Sequence, residues 1–133
     1  MSHTCFEVDI ANKVAHVQLS RGDELNTMVP AFWSELPEIV NDLSDSGEVR
    51  AIVLSSTGRH FCAGMDLAVF GAGGGADVGG SRVARQAHTR MMALALQENL
   101  SSLENSRVPV LAAIQGGCIG GGVDLVTLSL IHI

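Results

Sequence analysis

An α/β fold with parallel strand pairing is predicted by three features of this 133-residue chain. Strand-like and helix-like segments alternate along it. Two compact β-branched runs, at 49–55 and 110–114, read as buried strands. A glycine-bearing turn follows each of them and leads into the next helical pattern. The length suits one domain, large enough to bury roughly two-thirds of its unfolded surface.

The elements follow in order. Residues 6–10 and 14–20 read as short strands around residues 11–13. In the second, Val14, His16 and Gln18 alternate with Ala15, Val17 and Leu19, the pattern of a hairpin at a sheet edge. Residues 21–27 are polar and turn-like. Pro30 stands where a first helical turn tolerates proline, and residues 31–43 carry Phe32, Leu36, Ile39, Val40 and Leu43 near helical spacing. Pro37 is expected to kink or divide that helix. After the strand at 49–55 come a loop at 57–61 and a structured stretch from Ala63. Six of the 15 glycines fall within residues 71–80, which read as a mobile loop. Residues 81–105 form the longest helical pattern, with an apolar face expected at Val83, Ala87, Met91, Leu94, Ala95, Leu96, Leu100 and Leu103. The strand at 110–114 and a glycine-rich turn at 116–122 lead into an apolar helical segment from Val123.

Composition narrows the function classes. With 47% hydrophobic and 17% charged residues the chain is globular rather than disordered. A net charge of -6 argues against a nucleic-acid or anionic-membrane surface. It leaves room for a phosphate-bearing ligand held by backbone N–H groups at a helix start. Cys5, Cys62 and Cys118 have no metal-type spacing, nor do His3, His16, His60, His88 and His132, so no metal site is expected. The first six residues lack the pattern of a signal peptide, and no apolar run is long enough to cross a bilayer. A soluble, cytoplasmic protein is the expectation.

Glycine placement carries the chemistry. Five glycines lie within 116–122, in the run Gln115-Gly116-Gly117-Cys118-Ile119-Gly120-Gly121-Gly122-Val123-Asp124, which joins a β-branched strand directly to a helix. Glycine lets a ligand approach bare backbone, and free N–H groups at the helix start favour a developing negative charge. Those are the ingredients of an oxyanion hole. They are equally the ingredients of a tight, closely packed strand-to-helix connection. A second such turn is His60-Phe61-Cys62-Ala63-Gly64-Met65-Asp66-Leu67. Both turns lie at carboxyl ends of strands, where α/β folds place ligands. Asp66 reads best as a helix cap. Cys62 and Cys118 read as small buried hydrophobes rather than nucleophiles.

The segments FCAGMDL and PVLAAIQGGCIGGGVDLV resemble the two oxyanion segments of the crotonase superfamily, the enoyl-CoA hydratase/isomerase family. Their order and separation fit, as does VAHVQLSRGDELNTM near the start. AFWSEL, VRAIVLSS and GGCIGGGVDL are most similar to the dienoyl-CoA isomerase branch. The resemblance implies a spiral of ββα turns, of which this chain carries the N-terminal half only. It implies an acyl-CoA enzyme that shifts double bonds through an oxyanion-stabilised enolate in fatty acid β-oxidation, with water addition to 2-enoyl-CoA as the alternative. A catalytically silent binding or assembly module is a further alternative. The N–H groups of Met65 and Gly121 would hold the thioester oxygen, and Asp124 would be the first catalytic acid. Ala63, Gly64, Asp66, Leu67, Ala68, Gly117 and Gly122 would line the acyl-CoA path. Glu24, Leu25 and Asn26 would lie near the CoA nucleotide. No cofactor is implied, coenzyme A being part of the substrate. The intact protein would be a trimer or hexamer, without nucleic-acid or membrane partners.

Gly22 stands where many members have proline, and a basic residue common near Glu24 is absent, which weakens the CoA phosphate contacts. The resemblance spans residues 1–126. Residues 127–133 are expected to be a tail foreign to the domain, with 128–133 a translated sequencing adapter. A second catalytic acid and a C-terminal helical region would lie beyond this chain, so the chain alone is expected to be inactive and poorly soluble. Residues 71–76 partly fit a dinucleotide fingerprint, but the stretch before them is a poor strand. Arg82, Arg85 and Arg90 read as a solvated face.

Overall fold

The computed structural model describes residues 3–68, 80–129 and 131–132. Five strands form one sheet in the order β1-β2-β3-β4-β5. They are Phe6–Ala11, Val14–Leu19, Ala51–Ser56, Val110–Ala112 and Ile131–His132. β1 and β2 are antiparallel, and every later pairing is parallel. Among the described residues α-helices accompany them at Pro30–Ser46 (α1), Arg82–Glu104 (α2) and Gly121–Thr127 (α3). The expected hairpin therefore stands at the sheet edge, and the parallel pairings follow it.

Positive φ angles at Asn12 (51°) and Lys13 (65°) turn the hairpin, as a two-residue connection between twisted strands requires. β2 buries Ala15, Val17 and Leu19 on one face. β3 buries Ile52, Leu54 and Ser56 on that side and leaves its alternate residues half-exposed. The β-branched run thus serves one packed face, not two. On the other face the His16 ring meets the Ser55 hydroxyl at 2.6 Å.

α1 covers the packed face with Phe32, Trp33, Leu36, Ile39, Val40 and Leu43, spaced to form one apolar stripe. Phe32 stacks tilted on Phe6 at 5.1 Å and meets Trp33 edge-on at 5.4 Å. The Glu35 carboxylate accepts the N–H groups of Thr4 and Cys5 at 2.7 and 2.9 Å, pinning the start of β1 to α1. Pro37 does not divide this helix, which runs unbroken for 17 residues. Burial of apolar side chains on both sides of Pro37 offsets one lost backbone hydrogen bond.

α2 is capped by Ser81, whose hydroxyl accepts Ala84 N–H at 3.3 Å. Its apolar face differs from the expectation. Val83, Met91 and Leu94 are 72%, 70% and 47% exposed, and only the last turns bury Leu100 and Leu103. Helical spacing supplies a stripe, but among the described residues nothing packs on its first half. Arg82, Arg85 and Arg90 are exposed, as expected of a solvated face. The glycine-rich segment 71–80, apart from Gly80, lies outside the described residues. Residues 131–132, within the segment expected to be foreign, pair with β4 through Leu111 and Ala112. No described helix is long and apolar enough to cross a membrane.

Leu54 is fully buried at the centre of the sheet, between Val17 and Ala112. Leu54→Ala should cost about 2–5 kcal/mol in urea unfolding, whereas Val83→Ala should change stability by less than about 0.5 kcal/mol.

Candidate active site

β3 and β4 are neighbours in the sheet, so the turns that leave their carboxyl ends meet. The contact between the turns is backbone to backbone. Cys62 pairs with Cys118 as an isolated parallel bridge. Phe61 N–H donates to Gly117 O at 2.9 Å, and Ile119 N–H donates to Cys62 O at 3.0 Å. Gly117 N–H donates to the His60 Nδ1 atom at 2.8 Å. Gln115 reaches back from the second turn to Ser56 O and Oγ, at 3.0 and 2.8 Å.

The segment after β2 clamps the first turn from the other side. Ala63 N–H donates to Leu25 O at 3.0 Å, Met28 N–H to Gly64 O at 2.9 Å and Asp66 N–H to Met28 O at 3.1 Å. Asn26 is buried and donates its side-chain amide to Thr57 O and His60 O, at 2.8 and 3.2 Å. Leu25 and Asn26 adopt positive φ, 58° and 51°, to make this clamp.

At the cavity the turns approach closely at Gly64. It has φ +85°, and a Cβ built on it would stand 2.8 Å from Ile119 O and 3.4 Å from Gly121 N. The Met28–Met65 bridge uses Gly64 O and Asp66 N–H, which turns the Met65 N–H the other way. Gly121 is the first residue of α3, so its N–H has no intrahelical acceptor. Among the described residues neither N–H has a hydrogen-bond partner.

Both residues border one cavity of about 480 Å³. Its walls are Ala63, Gly64 and Met65 from the first turn, Gly120, Gly121 and Asp124 from the second turn and α3, Trp33 from α1, and Ala93, Leu96, Gln97 and Leu100 from α2. Among the described residues the lining is mostly apolar, with no basic side chain.

The expected site residues separate into two groups. Ala63, Gly64, Met65, Gly121 and Asp124 come together at the cavity. Asp66 caps the helical residues Leu67 and Ala68 after it, accepting Ala68 N–H at 2.8 Å and the Thr27 hydroxyl at 3.2 Å. Leu67 and Ala68 are exposed outside the cavity walls. Gly117 packs on the His60 ring, and Gly122 sits behind the wall on Cys62. Glu24 pairs with Arg21, and neither it nor Leu25 and Asn26 borders the cavity. Asp124 borders the cavity on the first turn of α3. It is exposed, because the described residues leave the first turn of α3 uncovered.

Trp33, Ala93 and Gln97 were not anticipated as cavity walls. Spacing marked Leu96 and Leu100 only as a helix face, and nothing in the sequence marks which part of α1 or α2 reaches the turns. The thiols of Cys5, Cys62 and Cys118 are all pushed up from the usual value, chiefly by burial. That fits small buried side chains rather than nucleophiles. Among the described residues no cluster has the groups to hold a metal ion.

The sequence family described as enoyl-CoA hydratase/isomerase matches residues 9–133. The chain belongs to the enoyl-CoA hydratase/isomerase family. It is 41% identical over 131 residues to the mitochondrial Δ(3,5)-Δ(2,4)-dienoyl-CoA isomerase of Homo sapiens, covering 95% of this chain and 39% of that one. It is 35% identical over 117 residues to the peroxisomal Δ(3,5)-Δ(2,4)-dienoyl-CoA isomerase of Arabidopsis thaliana, covering 87% and 42%. The fold matches the crystal structure of an enoyl-CoA hydratase/isomerase from Marinobacter aquaeolei with a TM-score of 0.83 at 23% identity, covering 96% of this chain and 47% of the other. The α/β crotonase-type fold is therefore shown, and the chain spans about two-fifths of the length of the curated relatives it matches.

Gly64→Ala meets both a positive φ and a backbone oxygen, whereas a Cβ on Gly47 (φ +71°) would meet open space. Gly64→Ala should destabilise by about 2 kcal/mol or more, and Gly47→Ala by about 1 kcal/mol, measured as urea midpoints.

Proposed function

We propose that the full-length protein carrying this chain acts on acyl-CoA thioesters and shifts double bonds, converting 3,5-dienoyl-CoA to 2,4-dienoyl-CoA through an enolate. The observation that carries this reading is the pair of unpartnered N–H groups, on Met65 and Gly121, at the wall of one cavity. The relatives named above as dienoyl-CoA isomerases support the choice of substrate.

A thioester α-proton is weakly acidic, so charge must be stabilised at the carbonyl oxygen before a carboxylate can take the proton. Two backbone donors in a mostly apolar cavity supply that stabilisation without a charged side chain. Loss of a proton from C2 gives an extended enolate, and return of a proton at C6 leaves the 2,4-diene. The shift needs two proton-transfer points. Asp124, on the first turn of α3 beside Gly121, is assigned to one of them. Ala63 and Gly64 guide the acyl group past the donors. Gly117 and Gly122 support the second turn from behind, and Asp66 fixes the exit of the first. Leu67 and Ala68 lie on the outward path of the CoA arm. Asn26 is held in the clamp, so nucleotide contacts fall to Glu24 and the half-exposed Leu25. Coenzyme A arrives as part of the substrate, and no resident cofactor is needed. The intact assembly is proposed to be a trimer or hexamer.

The full-length protein should convert a 3,5-dienoyl-CoA into its conjugated 2,4 isomer, followed by the absorbance of the product. Asp124→Asn should lower kcat about 10²–10⁴-fold. Hydration of a 2-enoyl-CoA with no dienoyl turnover would replace the isomerase reading with a hydratase one. Turnover of neither thioester would leave a binding or assembly role in its place.

A further inference from the structure

Cys62 is fully buried beneath both turns, and no step assigned above uses its thiol. Its Sγ–H donates to Asn26 O at 3.2 Å, and its sulfur accepts Gly64 N–H at 3.4 Å. On the other side Gly122 rests on it, for a Cβ there would lie 3.0 Å from the Cys62 Cβ and 3.2 Å from its Sγ. Gly64 immediately precedes Met65, and Gly122 immediately follows Gly121. The thiol therefore touches the residue next to each free N–H group. It also touches the clamp at Asn26.

We propose that Cys62 is a positioning residue, whose neutral thiol fixes the two turns so that the Met65 and Gly121 N–H groups converge on one acceptor. This rests on the function proposed above. The role requires a group that both donates and accepts within the volume of a small side chain. Burial raises the thiol above its usual pKa, a bond from Gly64 N–H lowers it less, and nearby Cys118 raises it further. The donor to Asn26 O therefore stays protonated at neutral pH. An apolar residue of the same size would fill the space but leave Asn26 O and Gly64 N–H without this partner. The Ala63–Gly64 peptide would then lose a restraint one residue before the Gly64–Met65 peptide, which keeps its bond from Met28 N–H and carries the Met65 N–H. Serine keeps both functions on a shorter bond.

The test compares Cys62→Val and Cys62→Ser in the full-length protein, measuring kcat and KM on a 3,5-dienoyl-CoA together with thermal stability. A positioning thiol predicts a kcat about 10–100-fold lower in Cys62→Val with KM within about threefold, and recovery to within about fivefold in Cys62→Ser. Activity should follow the order Cys, Ser, Val, while Cys62→Val melts no lower than Cys62→Ser. A merely structural role predicts activity that tracks the melting temperature, and that result would overturn the proposal. So would a Cys62→Val kcat within threefold of the parent. If Cys62→Val does not fold, Cys62→Ala takes its place, and equal kcat for Ala and Ser counts against the proposal. Inactivity of the unsubstituted protein would instead remove the functional reading itself.

Discussion

The close backbone approach at Gly64 is the constraint on which the site depends. Two parallel neighbours, β3 and β4, send their chains off the same edge of the sheet, and the turns that follow interlock as one more bridge, Cys62 with Cys118. A side chain at Gly64 would stand inside the space of Ile119 O. Its absence lets the first turn meet the start of α3. Two unpaired donors follow from that geometry. Parallel pairing with Met28 occupies one side of the first turn and turns the Met65 N–H away. Helix geometry leaves the Gly121 N–H without an acceptor. The two donors sit on half-buried residues at one cavity wall, where the proposed function places an acceptor.

Electrostatics points the same way. Among the described residues the cavity has no basic side chain, its walls are mostly apolar, and its one charged lining residue is Asp124. The chain as a whole carries a net charge of -6. In the proposed reaction, stabilisation of negative charge there would fall to fixed backbone dipoles, which are stronger in an apolar setting and need no reorganisation. A carboxylate can then share the cavity with the donors without forming an ion pair beside them.

Much of this was legible in the sequence because it depends on local rules. Alternation in 14–19 placed a hairpin strand with Ala15, Val17 and Leu19 inward, and the spacing from Phe32 to Leu43 placed the covering helix. Clustered glycine after a β-branched run marked the second turn, and Asp66 behaves as the cap its type suggests. What was not legible depends on contacts between distant segments. The spacing of Val83, Met91 and Leu94 defines a stripe whether or not anything packs on it, and here they stand exposed. Pro37 signals a break only if local propensity decides, and packing on both sides of it decides otherwise. Trp33 and Gln97 reach the cavity from helices far from the glycine turns in sequence, so no motif announces them. Asp124 borders the cavity, but its exposure depends on what covers α3 and not on its neighbours in the chain.

The most direct test of the central claim is the carbonyl stretching frequency of a bound acyl-CoA whose thioester carbon carries an isotope label, read by difference infrared spectroscopy on the full-length protein. Two converging N–H donors predict a band shifted to lower frequency than in solution, and loss of that shift in Gly64→Ala under conditions where the variant remains folded. A bound thioester whose carbonyl frequency equals its solution value would contradict the account, because it would place the oxygen away from Met65 and Gly121.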